Sequence, residues 1–369
     1  MLDTLVEKSR ELDLLSDVSK FSKLSIEAMK MSKERNFFLA YHGRHMESDF
    51  YGNIHALMKY AGIPLKEKKY FPIVSHEGCI LKCEIEFKYK SAVIIPGQYY
   101  REKIHRRAPY VPVFTTGPYI HYAESIYSRS QIEDVKKKNG RTLLIFLPHS
   151  IENIERKYRK IDFINSVFRE YKSQFQSIWL CNYWVDINDP VCEYAESMGI
   201  HVVTAGFRFD PLFDCRLKSI LEIADAVLCG DIGTFISYAL YMGKPIGRLD
   251  ISNNSTIPDL SLHLNMKKKL QINKEYRDYQ KGFTNFFDTQ LRNSEEQKKW
   301  MDPVSGFEQV RDKEYINHVF SISKDIWLQC EGDLFRYPEA VRKVYSLYEE
   351  QAEIYKMAIL KSAVGAYID

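Results

Sequence analysis

Residues 142–250 constrain the fold more than any other part of the chain, because short, uniformly apolar runs alternate there with amphipathic segments. A strand covered on both faces is apolar at nearly every position, and such strands joined through helices pair in parallel. The runs 142–148, 177–184, 201–205, 226–229 and 245–249 read as strands, and 162–175, 189–198, 211–224 and 233–242 read as helices. Each helix is entered through a residue suited to its amino end: Asp162, Asp189 before Pro190, Asp210 before Pro211, and Asp231 before Gly233. The pattern predicts a doubly wound α/β domain.

Upstream, a helix to about Arg35 is followed by a strand at 36–41, a helix at 50–61 and strands at 70–74, 91–96 and 111–114, which predicts a second α/β domain. At 369 residues the chain exceeds the size of one hydrophobic core. The hydrophilic segment 128–141 reads as the linker. It divides the chain into an N-terminal domain, 1–130, and a C-terminal domain, 131–335. The last segment, 336–369, reads as a helix opened by Pro338. Its residues Val341, Val344, Tyr348, Ala352, Tyr355 and Ile359 recur at three- and four-residue steps, so one stripe is expected to be buried.

Composition narrows the class. Apolar residues at 45% and charged residues at 27% fit a globular protein and exclude a disordered one. No run approaches the ~18–20 apolar residues of a membrane span, and the first residues carry charges every few positions, so a cytoplasmic protein is expected. Seven cysteines, an odd number, fit a reducing compartment. Cys79 and Cys83 form the only close pair, and with no second pair a zinc site is not expected. A net charge of +3 does not argue for nucleic acid. Lys88, Lys90, Arg101, Lys103, Arg106 and Arg107, and Lys267 to Lys269, cluster locally; they read as a solvated face or as a peripheral contact with anionic lipid.

The strongest chemical signal is IADAVLCGDIGTFISYALYMGKP at 223–245. A buried strand ends at Cys229, the chain turns through Gly230 and Asp231, and a helix starts at Gly233 and Thr234. Free amides, the positive end of the helix dipole and a threonine hydroxyl together suit a phosphate. In the bland alternative the glycines merely permit the turn and Thr234 caps the helix.

A strand, a small-residue turn and a helix closing on Gly243, Lys244 and Pro245 resemble the donor-phosphate site of the CDP-glycerol glycerophosphotransferases of teichoic acid synthesis and related capsule and O-antigen glycosyltransferases. The resemblance continues upstream in matching order, through VFTTGPYIHYA at 113–123 and TLLIFLPHS at 142–150, and covers 113–250. It implies the glycosyltransferase-B (GT-B) architecture: two facing Rossmann-like domains, nucleotide donor on the C-terminal one, acceptor on the N-terminal one, and a last helix crossing back to the first domain. The chain departs from the family in carrying Asp231, Ile232 and Gly233 for a Tyr-Ser-Ser turn. It also lacks the Trp-His-Gly motif, for which Tyr41, His42 and Gly43, or Ser75 to Gly78, are loose counterparts. CMP-, CDP- and UDP-linked donors all remain compatible, with a glycan or lipid-linked acceptor.

Around this core, His149 and Ser150 end the first strand of the second domain and suit donor phosphate or a leaving group. Arg208, before Asp210, suits phosphate or base through its planar guanidinium, or forms a surface ion pair. A transferase that inverts needs a base for the acceptor hydroxyl; His42, His45, Asp49, His76, Glu77 and His121 stand at strand ends and qualify by type. No cofactor is expected beyond the nucleotide-activated substrate, and no metal, since no DxD-like motif ends a strand. A nucleotide-sugar 2-epimerase of the same fold and an inactive scaffold are the alternatives. A nicotinamide oxidoreductase is disfavoured because no strand is followed by G-x-G-x-x-G.

Overall fold

A computed structural model of the chain describes residues 46–75, 90–148, 159–249, 274–330 and 336–346. In chain order its helices are α1 (Asn53–Ala61), α2 (Arg101–Arg107), α3 (Arg129–Asn139), α4 (Lys160–Tyr171), α5 (Pro190–Ser197), α6 (Phe213–Ile223), α7 (Thr234–Tyr241), α8 (Lys274–Phe286), α9 (Glu295–Ser305), α10 (Lys313–Cys330) and α11 (Tyr337–Tyr345). Its strands are β1 (Ile73–Val74), β2 (Val93–Ile95), β3 (Val113–Thr115), β4 (Thr142–Phe146), β5 (Ser177–Cys181), β6 (His201–Val203), β7 (Ala226–Cys229) and β8 (Ile246–Arg248). The described residues divide into two compact units, one holding 50–52 and those within 123–300, the other 46–49, those within 53–122 and those within 301–346.

The larger unit is built on a five-stranded parallel sheet in the order β6-β5-β4-β7-β8, with Leu144 beside both Trp179 and Val227. Its strands fall inside the predicted runs; β7 matches its run and the others are shorter. Leu143, Ile145, Ile178, Leu180, Val202, Ala226 and Leu228 form one core with Phe163, Ile164 and Val167 of α4. Full burial of each large aliphatic side chain contributes about 1.5–3 kcal/mol before the entropy of ordering it is subtracted. Asp189 caps α5 as predicted, accepting from the Val191 amide with Pro190 in the first turn. Asp162 lies within the first turn of α4 rather than at its cap, and Asp210 accepts from the Leu212 amide one turn ahead of α6.

Segment 128–141 is not a linker. It folds as α3, closed at its amino end by a capping box in which Ser128 accepts from the Gln131 amide and the Gln131 side chain accepts from the Ser128 amide. Lys136 then ties the helix to Asp225 at 2.8 Å, beside the start of β4. The predicted helix 50–61 starts later, at Asn53. Tyr51 (φ 60°) and Gly52 (φ 78°) lie in the left-handed region and break it. The freed Phe50 packs edge-on against Phe209 at 5.2 Å, and Tyr51 lies 4.8 Å from the ring of Phe213.

The smaller unit carries the parallel sheet β1-β2-β3, in which Val93 lies beside Ile73 and Val113. Residues from the far end of the chain complete it. On α10, the Asn317 amide donates to the Ala61 carbonyl, Ser323 bonds Ser91 and the Tyr70 carbonyl, and Lys324 pairs with Glu67. Helix α11 packs on α10, burying Val341 and Val344 of the predicted stripe, while Tyr348, Ala352, Tyr355 and Ile359 lie outside the described residues. Backbone meets backbone at three glycines. A side chain on Gly97 would strike the Pro303 carbonyl at 2.4 Å, one on Gly306 the Pro96 carbonyl at 2.3 Å, and one on Gly117 would press on the Gly306 carbonyl at 3.0 Å.

Candidate functional site

In the five-stranded sheet the chain leaves β4 toward β5 and β6, then returns to build β7 and β8 on the other side. The carboxyl ends of β4 and β7 therefore flank the point where strand order reverses, the position at which open α/β sheets bind ligands. Phe146 and Cys229 are register partners there, and the Gly230 amide donates to the Phe146 carbonyl at 3.2 Å.

The turn from Gly230 to Thr234 is shaped by its neighbours rather than by unusual dihedrals. Neither Gly230 nor Gly233 has a positive φ. A side chain on Gly230 would meet the Pro148 ring at 2.9 Å, and one on Gly233 would meet the Phe235 ring at 2.4 Å. The Phe235 ring is in turn stacked on Phe146, centroids 4.1 Å apart and planes 7° from parallel. Gly233 is the cap residue of α7, extended and without a side chain to bond the first-turn amides, and Thr234 is the first helical residue rather than the cap. Residues 231–235 are half-buried, so packed side chains do not seal this end of the helix. Asp231 bonds the Ile232 amide at 2.8 Å, placing a carboxylate in the positive field of the helix. The Cys229 thiol beneath is fully buried, donates to the Gly247 carbonyl, and is pushed well up in pKa by burial and then by Asp231; it is a packing group.

Gly243, Lys244 and Pro245 precede β8 and so lie at the amino ends of the strands, opposite the crevice. The Lys244 ammonium donates to the Glu222 and Ala224 carbonyls at 3.3 and 2.7 Å, at the carboxyl end of α6, and burial lowers its pKa. Arg208 follows β6, which β5 and β4 separate from β7 in the sheet. Its guanidinium lies over Phe50 at 4.5 Å and Phe209 at 5.2 Å, and its carbonyl accepts from the Tyr51 amide. Asp210 forms a buried pair with Arg216.

In the smaller unit Asp49 is 7% exposed and ion-paired with Lys68. His121, half-buried after β3, stands edge-on to Tyr122 at 4.9 Å and Tyr60 at 6.0 Å. His42, His45, His76, Glu77, His149 and Ser150 lie outside the described residues, as do Cys79, Cys83, Lys88 and Lys267 to Lys269. Among the described residues no three His, Cys, Asp or Glu side chains are placed to share a metal ion.

One polar knot was not foreseen. At the carboxyl ends of β2 and β3 the Gln309 amide oxygen accepts from Thr115, Gln98 and Arg311 at 2.8, 3.2 and 3.3 Å, and Arg311 also donates to the Thr115 carbonyl. Nearly two hundred residues separate Thr115 from Gln309, and no local pattern in the sequence links them.

No family model matches the chain, and no curated protein matches it. Among solved structures it is similar to the wall teichoic acid polymerase TagF soaked with CDPG, at a TM-score of 0.35 and 11% identity, covering 65% of this chain and 58% of that one. It is also similar to the catalytic domain of starch synthase IV from Arabidopsis thaliana bound to ADP and acarbose, at a TM-score of 0.26 and 11% identity, covering 69% and 56%. The chain thus spans less than two thirds of either protein.

Proposed function

We propose that the chain is a GT-B transferase that moves a sugar, or a sugar-like phosphate group, from a nucleotide-activated donor to a glycan or lipid-linked precursor of a bacterial surface polysaccharide. The reading rests on one observation: the amino end of α7 opens, glycine-capped and half-buried, at the strand-order reversal between β4 and β7. The motif order across 113–250, which resembles teichoic acid and capsule enzymes, selects this chemistry among those that use such a site.

In this reading donor phosphate lies against the first-turn amides of α7 beyond Ile232, whose own amide Asp231 occupies. Negative charge grows on that phosphate as the bond to the sugar breaks, and amides fixed in advance stabilise it without reorganising. The stacked Phe146 and Phe235 rings hold the turn against the end of β4. Charge neutralisation by the helix takes the place of a metal ion, and His149 and Ser150 act on the leaving phosphate. Attack by the acceptor hydroxyl inverts the sugar carbon and requires one base. Of His42, Asp49, Glu77 and His121, the half-buried His121 is better suited than Asp49, whose carboxylate is paired with Lys68.

A thermal-shift series with CMP, CDP, UDP and GDP tests the reading. A nucleotide at a hundred times its dissociation constant adds about 2.7 kcal/mol to native stability. One of the four is expected to raise the melting temperature, and Thr234→Val to reduce that rise while leaving the ligand-free melt intact. Stabilisation by none of them withdraws the reading. Incubation with donor alone separates transfer from 2-epimerisation, since only the epimerase turns over without acceptor.

A further inference from the structure

Among the described residues four large apolar side chains stand exposed, and three of them lie on two packed elements of the smaller unit: Leu65 (54%) on the 3-10 turn Leu65–Tyr70, and Trp327 (41%) and Leu328 (45%) on α10. Residues three apart on such a turn eclipse, so Glu67 and Tyr70 share the side turned to α10 while Lys66 and Lys69 share the next. Tyr70 meets Trp327 edge-on at 5.0 Å. The Lys69 ammonium sits 4.7 Å from the Tyr70 ring and 5.7 Å from the Trp327 ring. Lys324 lies 5.2 Å from the Tyr70 ring and bonds Glu67. Lys66 and Lys69 are exposed, and their charges help, after Lys324, to hold the Glu67 carboxyl below its usual range.

We propose that this surface docks on an anionic lipid bilayer. Exposed apolar side chains cost free energy in water and, when grouped, mark a place that something covers. Tryptophan and tyrosine, with an apolar body and a polar tip, settle at the headgroup level of a membrane. Lysines beside them keep their ammonium groups in the headgroups while the stems cover apolar surface. The positive charge selects an anionic surface. A protein partner fits poorly, because a stable interface takes about 20–30 residues from each side. No helix among the described residues is long and apolar enough to cross a membrane, so this contact is peripheral. Of the basic residues clustered in the sequence, Arg101 donates to the Val113 carbonyl and Lys103 to the Tyr99 hydroxyl. The proposal does not depend on the transfer reaction, and its failure leaves that reading standing.

Co-sedimentation of the full-length protein with vesicles tests it, using phosphatidylcholine alone and phosphatidylcholine mixed with phosphatidylglycerol. Binding to the mixed vesicles only, released by added salt, is expected. K66Q/K69Q should weaken it about fivefold per lysine, ~25-fold in all, and W327S/L328S should abolish it. I161S, at the exposed apolar residue of the other unit, should bind as the parent does. All these positions are exposed, and an unchanged circular dichroism melt verifies that the variants fold. Equal binding to both vesicle types, no binding, or unaltered binding by both double variants overturns the proposal. So does self-association in the ultracentrifuge that W327S/L328S removes, which would assign the face to a second copy of the chain.

Discussion

The two sheets are assembled in different ways. The five-stranded sheet and its covering helices come almost entirely from one stretch, 123–300, in which strands and helices alternate. The three-stranded sheet takes its strands from 73–115 and much of its support from α10 and α11, more than two hundred residues later. Contacts close in sequence cost little loop-closure entropy, whereas distant ones are formed only after that entropy is lost. The larger unit therefore depends on local pairs, and the smaller one on its return segment.

Substitutions that strike one dependence at a time separate the two. The largest effect is expected for Arg216→Met in the larger unit. It leaves Asp210, fully buried, without its cationic partner, at a cost of about 3–5 kcal/mol. Amides of β5 and β6 should lose hydrogen-exchange protection most, and a uniform loss across both sheets would break the comparison. Next is Val341→Ala on α11, which removes buried methyl groups at about 2 kcal/mol. Loss of protection in β2 and β3 would show that the distant helix supports them, and loss confined to α11 would show that it does not. The smallest, about 1 kcal/mol, belongs to Ser128→Ala, which removes one half of the capping box of α3. Its readout is the melting temperature, and no shift would mean that the ion pair of Lys136 with Asp225 suffices to hold the helix.

This difference also explains what the sequence discloses. The inner strands β5, β4 and β7 are buried along nearly their whole length, so their apolar runs mark them without knowledge of any partner. Helix α3 buries only Ile132 along its length, so it carries no stripe and resembles a linker in composition. Its one legible signal is Ser128 three positions before Gln131. The break at Tyr51 and Gly52 is equally hidden, because Phe50 and Tyr51 leave the helical path to reach Phe209 and Phe213, partners 159 and more positions away. In the candidate site the strand, turn and helix were readable from 226–241. Strand order, not chain order, sets which loops meet at the reversal, so the place of Arg208, after β6, is not legible from its nearness in sequence to that turn. Lys244 illustrates the same rule: it is near the site in sequence and stands at the opposite end of the strands because it precedes β8.

Hydrogen exchange at residues 230–236, measured with and without the stabilising nucleotide, tests the central claim most directly. A phosphate seated on the amino end of α7 should slow exchange at the amides from Gly233 to Phe235, ahead of the Ile236 amide that already donates to the Gly233 carbonyl, and the slowing should shrink in Thr234→Val. Nucleotide binding that leaves those amides unprotected, with protection elsewhere in the chain, would contradict the account.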